Sequence, residues 1–151
     1  MESPAATTTI LMVEDEEFVR TVTAEVLQAA GYRVLTATDS TAAVRIYARH
    51  PEVDLLLTDI ILPGESGWAL AARMLRLNPN LPVLYMTGYP EQMSFDEHKK
   101  ECLRKPFSSK LLLQKLKSML EGIANQSELE TAEADTAASC PPEFGRAIMM
   151  R

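Results

Sequence analysis

The stretch VDLLLTDIILPGESG, residues 53–67, decides the fold. Residues 53–58 form a short, nearly continuous apolar run with Leu55-Leu56-Leu57 at its centre, and the run stops on Asp59. A run without polar alternation reads as a strand buried on both faces, as in a parallel sheet covered by helices. Pro63, Gly64 and Gly67 then break the chain, and residues 66–77 resume at helical spacing with Trp68, Ala71, Met74 and Leu75 inward. The same strand–loop–helix unit recurs on both sides. Upstream, residues 9–13 are an apolar strand ending in acids. Residues 17–30 place Phe18, Val22, Val26, Leu27 and Ala30 on one helical stripe, with Gly31 as the stop. Residues 33–37 are a second strand, and 40–50 a helix behind a cap at Asp39 or Ser40, closed by Pro51. Downstream, Asn78-Pro79-Asn80 is a break and residues 82–86 a fourth strand. Residues 89–101 are polar and poorly periodic and read as a short helix. Cys102-Leu103-Arg104 is a brief fifth strand before Lys105-Pro106, and residues 108–121 a last helix with Leu112, Leu116, Met119 and Leu120 on one stripe. Buried strands alternating with helices require crossover connections, which predicts an α/β fold with a doubly wound, five-stranded parallel sheet.

In such sheets ligands bind beyond the carboxyl ends of the strands, where the strand order reverses. The first strand delivers Glu14 and Asp15 to that edge, the third Asp59, the fourth Thr87 and then Gly88, the fifth Lys105 and Pro106. Three carboxylates brought together repel one another, and oxygen donors without His or Cys favour a hard cation such as Mg2+. Mg2+ keeps waters and takes only one or two carboxylates, which leaves room for a phosphoryl oxygen. Lys105 is a compact positive charge for Asp59 and a second phosphoryl oxygen, Thr87 offers a hydroxyl to the third, and Gly88 leaves access open. Aspartate is an established nucleophile toward phosphorus, and in such transfers the protein mainly positions groups and stabilises charge. Each residue alone has a plainer reading: acids after a strand cap the next helix, a lone aspartate or threonine ends a strand, and Lys-Pro is a common turn. The signal is that all of them fall at strand ends.

With these residues in view, ILMVEDEE (10–17), DLLLTDIILPGESGWALA (54–71), PVLYMTGY (82–89) and LRKPF (103–107) resemble the receiver family of two-component systems over about residues 8–121. The 44 positions between Asp15 and Asp59 are the spacing associated with that family. The resemblance implies a flavodoxin-like receiver domain over 9–121. It implies that Asp15, aided by Glu14, binds Mg2+, with the Ile61 main-chain carbonyl completing the metal site alongside Asp59. It further implies that Asp59 is the phospho-acceptor, Thr87 the switch hydroxyl and Lys105 the partner lysine, with a cis peptide before Pro106. A histidine kinase or histidine phosphotransfer domain would be the donor and another protein the reader of the signal. The domain would act as a phosphorylation switch or phosphorelay station, catalysing only its own phosphorylation and dephosphorylation. TGY and KPFS look most like the C-terminal receivers of hybrid sensor kinases and stand-alone cell-cycle receivers. Two departures stand out. Cys102 occupies the position where family members carry Tyr or Phe, and only 18 positions separate Thr87 from Lys105, about one helical turn fewer than in the chemotaxis-type receiver. They lead to the expectation that phosphorylation is read through residues 88–101, with Tyr89 as the aromatic reporter.

Composition agrees with this reading. The 151 residues are 46% hydrophobic, enough for one core, and the net charge of −6 argues against a nucleic-acid partner. Cys102 and Cys140 have no CxxC spacing, so neither a zinc site nor a disulfide framework is expected. MESPAATTT lacks a basic segment and an apolar core, and no apolar run approaches the ~20 residues of a membrane span; the expectation is a cytoplasmic protein without a membrane partner. Residues 1–8 are expected to be a flexible leader. From 122 to 151 the chain turns acidic and alanine-rich, expected to be a disordered tail. His50 and His98 lie on polar segments and read as solvated. Gly64-Glu65-Ser66-Gly67 is neither a P-loop nor a dinucleotide fingerprint. Three rivals remain. An aspartyl-phosphate phosphatase would need an acid where Ile61 stands. A flavin binder would need a hydroxyl-rich loop after Val13. The third is a receiver-like interaction module that does not cycle.

Overall fold

Thr9–Val13 forms β1 and is buried along its whole length, as a continuous apolar run requires. The computed structural model describes residues 7–88 and 101–128, and the chain divides into two compact units, one ending at Val83 and one starting at Leu84. Along it follow α1 (Glu17–Ala29), β2 (Arg33–Ala37), α2 (Ser40–Arg49), β3 (Leu55–Asp59), α3 (Gly67–Leu77), β4 (Val83–Thr87), β5 (Cys102–Arg104) and α4 (Ser109–Glu128). The sheet has five parallel strands in the order β2-β1-β3-β4-β5, the doubly wound arrangement read from the sequence.

In the first unit β1 pairs with β2 on one side and β3 on the other, Val13 aligning with Ala37 and with Thr58. The chain therefore winds one way from β1 and then the other, and the reversal lies at the carboxyl ends of β1 and β3. Gly31 ends α1 at φ +101°, a conformation only glycine takes without cost, and its N–H donates to the Gln28 carbonyl at 2.9 Å. Asp39 caps α2 by accepting from the Ala42 N–H at 2.8 Å, and Ser66 caps α3 by accepting from the Ala69 N–H at 3.1 Å. In the second unit β4 and β5 run side by side, Tyr85 aligning with Cys102 and Thr87 with Arg104. Ser108 accepts from the Leu111 N–H at 3.0 Å at the start of α4, whose Leu112 and Leu116 are buried as expected while Met119 and Leu120 are half-buried.

Several expectations are corrected. The stripe on α1 is rotated by one residue: Phe18 is 78% exposed, Val22 and Ala30 are exposed, and the buried residues are Thr23 and Leu27. One residue turns a helix by about 100°, so an 18–22–26 row and a 19–23–27 row are neighbours that periodicity alone separates poorly. On α3, Leu70 is fully buried while Trp68 and Leu75 are half-buried, the same ambiguity between adjacent rows. The last helix does not stop at 121 but continues through Gly122 to Glu128. A glycine inside a helix costs only about 1 kcal/mol relative to alanine, less than the following good helix formers can offset. Residues 89–100 of the helix expected over 89–101, with the aromatic reporter Tyr89, lie outside the described residues, as do residues 1–6 of the leader and 129–151 of the tail; Glu101 itself is in neither helix nor strand. No helix among the described residues is long and apolar enough to cross a membrane.

Candidate metal centre

The first unit brings Glu14, Asp15 and Asp59 together: one carboxylate oxygen from each lies within 4.8 Å of the other two. The arrangement follows from register. Met12 and Val13 align with Leu57 and Thr58, so the residues just after β1 and at the end of β3 must emerge side by side. Glu14 is 1% exposed and Asp59 7%, whereas Asp15 is exposed, so the group has two buried acids under one that faces solvent. The loop is held by its own polar atoms. The Glu14 N–H donates to the Ala37 carbonyl at 3.1 Å, and Glu14 Oε2 accepts from the Glu16 N–H at 3.0 Å. The Asp59 Oδ1 accepts from the Ile61 N–H at 3.2 Å. Ile61, whose carbonyl the resemblance adds to the metal site, is 45% exposed.

Buried carboxylates cannot crowd together without something positive nearby. The three acids offer only carboxylate oxygens, which suits a hard divalent cation of the Mg2+ kind and not zinc or copper. The residues therefore fit such an ion. Millimolar Mg2+ is accordingly expected to raise the melting temperature by roughly 5 °C, since free ion at about ten times its dissociation constant adds about 1.4 kcal/mol to the native state. A melting curve indifferent to Mg2+ would remove the metal site.

Three contributors were not singled out by sequence reasoning. Arg20 donates from Nη1 to the Glu14 carbonyl at 2.9 Å and to the Asp15 carbonyl at 3.4 Å, clasping the main chain of the acidic pair. Its signal was a cation in the first turn of α1, where the helix dipole disfavours one. Glu65, in the loop after β3, accepts from the Ser40 hydroxyl at 2.7 Å and from Arg73 at 2.6 Å through the same oxygen, tying that loop to α2 and α3. Gly67 is the third. A Cβ there would sit 2.1 Å from the Asp59 carbonyl oxygen, and the Gly67 N–H donates to the Ile60 carbonyl at 2.7 Å. The start of α3 thus rests directly on the backbone that carries Asp59.

In the second unit Thr87 is buried at the end of β4, and its carbonyl accepts from the Lys105 N–H at 2.7 Å. The Lys105–Pro106 peptide is cis, as the resemblance implied. A Cβ on Gly88 would meet Lys105 Cβ at 4.0 Å, an ordinary contact, so Gly88 is not required there by bulk alone. Cys102 is half-buried alongside the buried Tyr85 on the neighbouring strand. His50, read as solvated, is half-exposed, and its Nδ1 lies 3.0 Å from Glu52 Oε2.

Comparison with known proteins agrees. The family model described as response regulator receiver domain matches residues 10–117. The sensor kinase CckA of Brucella abortus is 34% identical over 75% of this chain and 12% of its own length. The phosphate regulon transcriptional regulatory protein PhoB of Pseudomonas aeruginosa is 35% identical over 74% of this chain and 51% of its own. Among solved structures, the receiver domain from hybrid histidine kinase CckA is 35% identical, covers 74% of this chain and 98% of that one, and superposes with a TM-score of 0.65. The chain spans about half the length, or less, of the curated relatives it matches first.

Proposed function

Because this chain belongs to the response regulator receiver domain family of two-component systems, we propose that it accepts a phosphoryl group on Asp59 from a phosphohistidine of a histidine kinase or phosphotransfer protein. The observation that carries this reading is the group of Glu14, Asp15 and Asp59 at the point where the strand order reverses. In the transfer, a carboxylate oxygen of Asp59 bonds to phosphorus as the P–N bond of phosphohistidine breaks. The electron pair departs with the imidazole, which takes up a proton. Mg2+ held by Asp15, Asp59 and the Ile61 carbonyl, with Glu14 behind them, would supply charge neutralisation for the entering phosphoryl oxygens. The Ile61 N–H, bonded to Asp59 Oδ1, fixes the carboxylate plane. Arg20 holds the acidic loop from its carbonyl side. Thr87 and Lys105, at adjacent strand ends, are assigned to the remaining phosphoryl oxygens, Thr87 as hydroxyl donor and Lys105 as counter-charge. Beyond catalysing its own phosphorylation and dephosphorylation, the domain would act by changing which protein it binds, in the cytoplasm. Two relatives named as transcriptional regulatory proteins are about twice as long as the part they share with this chain, and a nucleic-acid output would belong to that further length.

The test is intact-mass measurement after incubation with acetyl phosphate and Mg2+. One phosphoryl group is expected, and EDTA should prevent it. A chain that gains no mass under these conditions is a receiver-like module that does not cycle.

A further inference from the structure

We propose that Glu65 is a positioning residue for the acidic group: its carboxylate straps the loop after β3 to α2 and α3, keeps Ile61 in place against Asp59, and so sets how tightly the site binds Mg2+. The inference rests on the reading of Glu14, Asp15 and Asp59 as a Mg2+ site. Residues 60–66 join β3 to α3, all within the first unit. Close packing joins the two ends of this loop, since Gly67 rests on the Asp59 carbonyl and its N–H donates to the Ile60 carbonyl at 2.7 Å. The outer turn stands further from the core. Ile61, Pro63 and Gly64 are exposed, and Gly64 reverses the chain at φ +79°. Yet this turn carries Ile61, whose N–H donates to Asp59 Oδ1 at 3.2 Å and whose carbonyl the resemblance adds to the metal site. Buried Leu62 anchors the turn to the core, and Glu65 anchors it to the neighbouring helices.

A single oxygen, Glu65 Oε1, accepts from the Ser40 hydroxyl at 2.7 Å and from Arg73 Nη1 at 2.6 Å. The two bonds differ in weight. Arg73 is exposed, and a surface ion pair of this kind contributes little. Ser40 is buried at the first position of α2, so its hydroxyl cannot readily exchange Glu65 for water. The start of α2 is itself fixed, because Asp39 caps it by accepting from the Ala42 N–H. The strap therefore runs from a fixed point on α2 to Glu65, four positions after Ile61. Mg2+ tolerates little departure from octahedral oxygen geometry, and a donor set held in advance loses no ordering entropy when the ion arrives. Contacts that orient metal ligands without touching the ion typically change affinity about 10–100-fold. Glu65 acts across four residues of loop, which places it at the low end of that range.

Calorimetric titration of the full chain with Mg2+ tests this, beside the hydrogen-exchange rate of the Ile61 amide in metal-free protein. In Glu65→Ala the Mg2+ dissociation constant is expected to rise about tenfold and the Ile61 amide to exchange at least about threefold faster, with the amides of β1 unchanged. Glu65→Gln keeps an oxygen for Ser40 without the charge, and should stay within about twofold of the wild type in both readouts. Ser40→Ala should reproduce most of the loss and Arg73→Ala little of it, while Ser40→Ala/Glu65→Ala should lose no more than Glu65→Ala alone. A glutamine variant as weak as the alanine variant overturns the proposal, because Glu65 would then act through its charge. So do losses from Ser40→Ala and Glu65→Ala that multiply, or a Glu65→Ala chain that binds Mg2+ as the wild type does. A wild type that takes up no Mg2+ defeats the reading of the site. The Ile61 rate needs no ion and then decides separately whether Glu65 holds the loop: a faster rate in Glu65→Ala upholds the strap, and an unchanged one overturns it.

Discussion

Asp59→Asn is expected to abolish the phosphoryl adduct formed with acetyl phosphate and Mg2+ while leaving the unphosphorylated protein at least as stable as the wild type. The first half follows from chemistry: an amide oxygen is not a nucleophile toward phosphorus, and no other acid occupies the end of β3. The second half follows from crowding. At 4.8 Å, two like charges in an environment of effective dielectric constant near 20 repel by about 3 kcal/mol before screening. Asparagine removes one of the three charges yet keeps an oxygen for the Ile61 N–H. After screening by solvent and nearby cations, a gain of about 0–2 kcal/mol remains in the absence of metal. Mg2+ should stabilise the variant less than the wild type. Denaturant titrations with and without Mg2+, beside intact-mass spectra, provide the readouts. A variant that still acquires the adduct at the wild-type rate would move the acceptor elsewhere.

Gly67→Ala is expected to cost at least about 2–3 kcal/mol and to lower the rate of phosphoryl acceptance, because the new methyl group would overlap the backbone that presents Asp59. Its Cβ would lie 2.1 Å from the Asp59 carbonyl oxygen and 3.0 Å from both the Asp59 carbonyl carbon and the Ile60 Cα. None of these is the end of a movable side chain. That carbonyl also accepts from the Thr58 hydroxyl at 3.0 Å, and the Gly67 N–H is held by Ile60 at 2.7 Å, so neither side yields cheaply. Helix propensity alone gives the opposite sign, since alanine is favoured over glycine by up to about 1 kcal/mol within a helix. The sign of the change thus separates close packing from propensity. Ser66→Ala, which removes only the cap accepting from Ala69, is the natural control, with a loss of about 1 kcal/mol. An alanine variant as stable as the wild type would show that the start of α3 can lift away from β3.

The strands and the acids at their ends were legible because their signals are local and redundant. A buried parallel strand is a run of apolar residues, and a site at a strand end is the next residue along. Glu14, Asp15 and Asp59 could be placed from two runs and one topological rule. The buried face of α1 was not legible. Phe18, Val22 and Val26 are more apolar than the row through Thr23, and only packing against the sheet decides which row turns inward. Gly67 was read as a loop breaker, since nothing in a sequence says that another backbone passes 2.1 Å from an atom the residue lacks. Glu65 and Arg20 act through contacts with Ser40 and with the Glu14 and Asp15 carbonyls, pairings that a single sequence does not specify.

The central place of β1 has a consequence for how the protein is made. Both of its neighbours lie later in the chain, and the β3 partner that brings Asp59 to the acids is 44 positions downstream of Asp15. At about 5–20 residues added per second, roughly 2–9 s pass on the ribosome between the appearance of the first acids and that of Asp59. Until then β1 is a largely apolar strand with a vacant edge, the kind of segment that chaperones hold and that aggregates when they do not. The acidic group is therefore complete only after nascent β1 has survived that interval. Slower translation across residues 15–59 should tax the yield of folded protein more than an equal delay after residue 60.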